Sequence, residues 1–124
     1  MNRSITDAEL EVMKILWRDS RPKSFAELRA PLQAAKNWDK STINTLIRRL
    51  CEKDALRCTR DGARLYAPNV SEDEYILAEE RAALEKFGSA KKLLTAMVRN
   101  GHLTDSDLDE LRDYFRMGGG GNEL

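Results

Sequence analysis

Residues 38–68, WDKSTINTLIRRLCEKDALRCTRDGARLYAP, decide the fold. Ile43, Leu46, Ile47 and Leu50 recur at i, i+3, i+4 and i+7, which sets them on one stripe of an α-helix facing a core. At about 100° per residue, Ser41, Thr45 and Arg48 then point away from that stripe, with Asn44 and Arg49 beside them. The outward face carries short polar groups and guanidinium. Those groups bond base edges and phosphate: Asn suits adenine, Arg suits guanine, and Ser or Thr serves either base or a backbone oxygen. Asp39 is placed to cap this helix, so the positive end of its dipole and its first N–H groups fall among the same side chains.

The residues that follow carry independent signals of a hairpin. Residues 56–60 and 63–67 flank Asp61-Gly62, a dipeptide suited to a tight turn between antiparallel strands because Gly reaches positive φ without steric cost. Period-two reading puts Leu56, Cys58, Leu65 and Ala67 inward and leaves Arg57, Arg60 and Arg64 near solvent, and Pro68 ends the second strand. Arginines on a hairpin edge also guard against aggregation. Their position directly after a helix with nucleic-acid chemistry favours a DNA-facing wing, and the segment as a whole reads as a winged helix-turn-helix.

Upstream, Thr6-Asp7-Ala8-Glu9 and Ser24-Phe25-Ala26-Glu27 have the capping-box spacing that opens a helix. The first helix extends to about Asp19 with Leu10, Met13, Ile15, Leu16 and Trp17 as its apolar face; the second turns Leu28 and Leu32 inward. Pro31 removes an internal hydrogen bond and crowds the preceding turn, so a kink or an early stop is expected, with residues 34–39 turning into the third helix.

Downstream, Ser71-Glu72-Asp73-Glu74 starts a long helix to about Phe87, which Gly88 closes. Ser89 caps a helix carrying Ala90, Leu93, Leu94, Met97 and Val98, which ends at Asn100-Gly101. Thr104, with Asp107 three residues on, opens a last helix carrying Leu108, Leu111 and Phe115. Three such helices on short links cannot readily bury their apolar stripes alone, and a second copy solves this. A single reading helix also contacts few base pairs, so a homodimer reading two half-sites gains specificity. Tyr75, Leu84, Phe87, Leu94, Met97, Leu108, Leu111 and Phe115 are the candidate dimerisation residues. The tail GGGGNEL is too glycine-rich to order itself.

The expected architecture is mainly α with a small β-hairpin: a winged helix-turn-helix domain over residues 1–70, a three-helix dimerisation region over 71–116 and a flexible Gly-rich tail over 117–124. Charge divides along the same line. The 124 residues have a formal net charge of zero, but residues 1–70 hold 14 Lys+Arg against 9 Asp+Glu (+5), and residues 71–124 hold 7 against 12 (−5). A basic half on phosphate and an acidic half held away from it produce that asymmetry. A composition 41% hydrophobic and 34% charged, without an apolar run near the roughly 20 residues that span a bilayer or the apolar stretch of a signal peptide, points to a cytoplasmic protein with no membrane partner.

Enzyme chemistry has no visible seat. Cys51 and Cys58 lie on different elements outside any zinc-ligand spacing and read as small packing residues, and a redox pair would need one thiol with a lowered pKa. His102 is alone in a helix connection, and the only glycine run is the tail. No catalytic residue, metal or cofactor is expected.

ITDAELEVMKILW (residues 5–17), WDKSTINTLIRRLCEKDAL (38–56) and LYAPNVSEDEY (65–75) resemble, in that order and at similar spacing, the penicillinase and methicillin-resistance repressors (BlaI/MecI/CopY type). The resemblance covers about residues 5–115 and implies a homodimeric bacterial transcriptional repressor binding an inverted-repeat operator in double-stranded DNA. It puts Lys40, Ser41, Thr42, Asn44, Thr45 and Arg48 on the reading element. Arg49, Arg60 and Arg64 join them from the residue-level reading. Family members controlled by a membrane-bound sensor protease are cut after an Asn that precedes Phe. The corresponding site here, Asn100-Gly101, lacks the aromatic, which weighs against cleavage by such a partner. The C-terminal cysteine cluster of copper-responsive relatives is absent from the tail. The rival reading is a winged-helix module that docks other proteins, since fold does not fix function; a redox-responsive repressor is a variant of the first.

Overall fold

The computed structural model describes residues 4–117. The Gly-rich tail expected over 117–124 lies, beyond Met117, outside the described residues. The chain forms two compact units, Met1–Leu77 and Ala78–Leu124.

In the first unit, α1 (Asp7–Asp19), α2 (Phe25–Lys36) and α3 (Lys40–Glu52) precede a two-stranded antiparallel sheet of β1 (Leu56–Asp61) and β2 (Ala63–Pro68). Helix α4 (Glu72–Phe87) begins within this unit. The expected caps are formed. Thr6 and Glu9 exchange reciprocal bonds at the start of α1, Ser24 and Glu27 do so at α2, and the Asp39 carboxylate accepts the Thr42 N–H at 2.8 Å. Val12, Met13 and Leu16 of α1, Leu28 and Leu32 of α2, Ile43, Leu46, Ile47 and Leu50 of α3, and Leu56 and Tyr66 of the hairpin form one core. Burying each large aliphatic side chain contributes about 1.5–3 kcal/mol, so α3 is held by its inner stripe while its outer face stays clear.

Several expectations need correcting. On α1, Val12 is fully buried, whereas Leu10 and Trp17 only pack on the core's rim. Of the kink or early stop expected at Pro31, the early stop does not occur: α2 runs to Lys36. Burial of Leu28 and Leu32 on either side of the proline outweighs the one hydrogen bond it removes. Residues 34–36 are therefore helical, and the turn into α3 is only Asn37, Trp38 and Asp39. Asn37 takes the left-handed conformation (φ 58°), which Asn tolerates, and thereby caps α2.

The inward face of the hairpin is also different. Leu56 pairs with Pro68, Cys58 with Tyr66 and Thr59 with Leu65, so Tyr66 shares a face with Leu56 and Cys58 while Leu65 lies on the other. Tyr66 is buried and Leu65 half-buried. The open edge of β2 is closed by Lys23, whose N–H donates to the Tyr66 carbonyl at 2.9 Å and whose carbonyl accepts the Tyr66 N–H at 2.8 Å. Cys58, opposite Tyr66 on the outer strand of the hairpin, is exposed.

Glu9 does more than cap. It is 1% exposed, and besides the Thr6 N–H its carboxylate accepts from the Lys53 ammonium, which also donates to the Ser4 carbonyl at 2.8 Å. The start of α1 is thus pinned to the end of α3. Burial alone would raise the Glu9 pKa, but the Lys53 and Thr6 bonds together hold it below its ordinary value.

In the second unit, α4 continues to Phe87 and is followed by α5 (Ala90–Arg99) and α6 (Asp105–Arg116). Gly88 and Gly101, at φ +77° and +75°, close α4 and α5, and Ser89 and Thr104 cap the helices that follow. No residue of α4, α5 or α6 is buried.

Candidate nucleic-acid interface

Helix α3 presents Lys40, Ser41, Thr42, Asn44, Arg48 and Arg49 to solvent, with Thr45 half-buried beside them. The three-residue turn and the buried stripe from Ile43 to Leu50 set this orientation. At the N-terminus of α3 the Asp39 carboxylate occupies the Thr42 N–H, and that bond holds Asp39 below its ordinary pKa. An anion reaching this end therefore meets the side chains of Lys40, Ser41 and Thr42 more than bare backbone donors. Further along, Arg48 lies 3.9 Å from Glu52, with both side chains about 60% exposed. That contact is long and solvent-exposed, so it costs little to exchange for a base or phosphate.

The hairpin supplies the second part. Arg60 and Arg64 sit directly opposite each other near the Gly62 turn (φ +80°), and both are exposed. Like charges at a cross-strand pair repel, and a polyanion attracted to both guanidinium groups offsets that repulsion. The hydrogen bond between Arg64 and the Tyr66 side chain raises the pKa of a guanidinium that is in any case always charged. Arg57 serves elsewhere: its guanidinium donates to the Pro68 carbonyl at 2.9 Å and to Asn69 Oδ1 at 3.3 Å, bracing the base of the hairpin.

The remaining candidates fall as follows. In the second unit Leu84, Phe87, Leu94, Leu111 and Phe115 are exposed, the last at 65%, and Met97 and Leu108 are half-buried. Val98, Tyr114 and Met117 extend the exposed apolar surface. Val98 and Tyr114 were legible from their spacing to Leu94 and Leu111. Tyr75 packs instead within the first unit, its ring 5.6 Å from that of Trp17. Asn100 caps α5 with its N–H on the Ala96 carbonyl, and with Gly101 it is exposed. Burial pushes the Cys51 thiol up, away from the thiolate form.

A core-anchored helix with a polar and guanidinium face, joined to an arginine-tipped hairpin, defines a winged helix-turn-helix protein. The penicillinase repressor family model matches residues 5–116, and the chain belongs to that family. It is 33% identical over 110 residues to the penicillinase repressor of Bacillus licheniformis, covering 86% of this chain and 85% of that one. It is 29% identical over 114 residues to the methicillin resistance regulatory protein MecI of Staphylococcus aureus, covering 90% and 92%. The solution structure of the monomeric form of B. licheniformis BlaI in complex with the blaP half-operator is also similar, with 37% identity and a TM-score of 0.54. That likeness covers 60% of this chain and 92% of the solved chain. No helix among the described residues is long and apolar enough to cross a membrane.

Proposed function

We infer that this chain is a DNA-binding transcriptional repressor that reads an inverted-repeat operator in double-stranded DNA as a homodimer, in the cytoplasm and without catalytic activity. The observation that carries the reading is the outer face of α3: six exposed polar or cationic residues on a helix fixed by a buried stripe, in a chain 37% identical over its matched part to a repressor solved on a half-operator. Asn44 and Arg48 are assigned to base edges, Thr45 to a base edge or adjoining phosphate, and Lys40, Ser41, Thr42 and Arg49 to phosphates. Arg60 and Arg64 grip the backbone beside the reading helix.

Residues 1–70 form the reader and residues 71–116 the dimerisation region, through the exposed apolar side chains of α4, α5 and α6. A sensor protease releasing the repressor would act at Asn100-Gly101, and the missing aromatic there weighs against that route. Selection from random duplexes by the purified chain tests the reading. A recovered motif with two-fold symmetry is expected, and recovery of unrelated sequences would overturn it.

A further inference from the structure

We propose that Glu80 on α4 of one copy pairs with Lys91 on α5 of a second copy, and that this ion pair, made twice, fixes which helices meet in the dimer and in what register; this rests on the dimeric repressor reading above.

Glu80, Ala83, Leu84 and Phe87 recur at i, i+3, i+4 and i+7, so a carboxylate heads an apolar stripe on α4 whose Leu84 and Phe87 are exposed. On α5, Lys91, Leu94 and Val98 recur at i, i+3 and i+7, so there an ammonium heads a stripe whose Leu94 and Val98 are exposed. Lys92 and Arg99 fall on the other side of α5, and Glu79 and Glu85 fall outside the α4 stripe. Glu80 and Lys91 are themselves exposed, and neither makes an ion pair among the described residues. By contrast Arg112 and Arg116 of α6 are engaged at 3.0 and 3.7 Å by Asp109 and Asp113 of their own helix.

Both stripes run from i to i+7, about 10 Å of helix, so they match in length as well as in charge. With α4 of one copy beside α5 of the other and both running the same way, Glu80 faces Lys91 while Leu84 and Phe87 face Leu94 and Val98. Each chain carries both stripes, so a two-fold axis makes the contact twice. That self-complementarity singles out a second copy as the partner. Within one chain the charges stay apart, because the Gly88-Ser89 link puts Lys91 next to the end of α4, about two turns from Glu80. Covering the stripes in an alignment that separates the two charges would bury each of them unpaired, and that penalty is what selects the register.

The test is sedimentation of the full chain as wild type, as Glu80→Lys, as Lys91→Glu and with both changes in one chain, with circular dichroism as the check on folding. Each single variant sets like charges opposite one another and should raise the dimer dissociation constant by about tenfold or more. The chain with both changes restores both pairs, as does an equimolar mixture of the two single variants, and each should return to within about threefold of wild type. Single variants that dimerise as tightly as wild type, or combinations that show no rescue, would overturn the pairing while leaving the dimer in place. If the wild type itself sedimented as a monomer throughout, the dimeric reading would fall and the pairing with it.

Discussion

At the scale of single residues, Glu9 shows how one side chain can serve two levels of structure. As a capping partner it satisfies the Thr6 N–H, and as the counterion of Lys53 it fastens the start of α1 to the end of the reading helix. The capping role was legible from the Thr-x-x-Glu spacing. The ion pair was not, because it joins positions 44 residues apart and only the folded core brings them together. Lys53→Met would leave a buried carboxylate with one donor fewer, and a loss of about 3 kcal/mol is expected in urea unfolding. Proton linkage sets the sign of the pH effect. The Glu9 pKa is depressed in the folded state, so its contribution is complete above the ordinary carboxylate range and is lost as pH falls through the folded value. Glu27, held at about 2 by the Ser24 backbone and Arg21, acts in the same direction. Wild type should therefore lose stability between about pH 5 and pH 2, and Lys53→Met should lose less over that interval. A variant with an unchanged acid profile would show that the pair is not the source.

At the scale of elements, helices were easier to read than strands, for a physical reason. Capping boxes and a 3.6-residue apolar period are local signals, and they marked all six helix starts and the buried stripe of α3. The choice between a kink and an early stop at Pro31 was not legible, because burial of Leu28 and Leu32, which carries α2 on to Lys36, is a tertiary gain that local propensity does not contain. The face of the hairpin escaped as well. Register depends on how Arg60 meets Arg64 across the turn, and a shift of one residue exchanges the two faces of β2, which is how Leu65 and Tyr66 changed places. The arginines at the tip were exposed under either reading. Removing Arg60 or Arg64 should weaken binding to selected and random duplexes by similar factors, and should lower the slope of log affinity against log salt by about one per lost phosphate contact. Affinity measured across a salt series separates this from a sequence-specific role, for which the loss would be confined to the selected duplex.

At the scale of the whole molecule, the chain combines a well-buried reader with three helices that bury no residue of their own. The net negative charge of the second half lies on α4 and α6, which are unsuited to the phosphate surface that the basic half is suited to hold, whereas α5 carries only Lys91, Lys92 and Arg99 as charged residues. Exposed Leu94 and Phe115 should be central to association. Leu94→Asp or Phe115→Asp should shift sedimentation from dimer to monomer while single-half-site binding is retained, whereas a dimer that survives both changes would place the interface elsewhere. The central claim is that the outer face of α3 reads sequence, and it is tested most directly by the ratio of affinities for a selected operator and a random duplex in Asn44→Ala and Arg48→Ala. Each lost base contact is worth about 1–3 kcal/mol of discrimination, so the ratio should fall by about five- to 150-fold while random-duplex affinity changes little. A ratio equal to wild type in both variants would contradict the account.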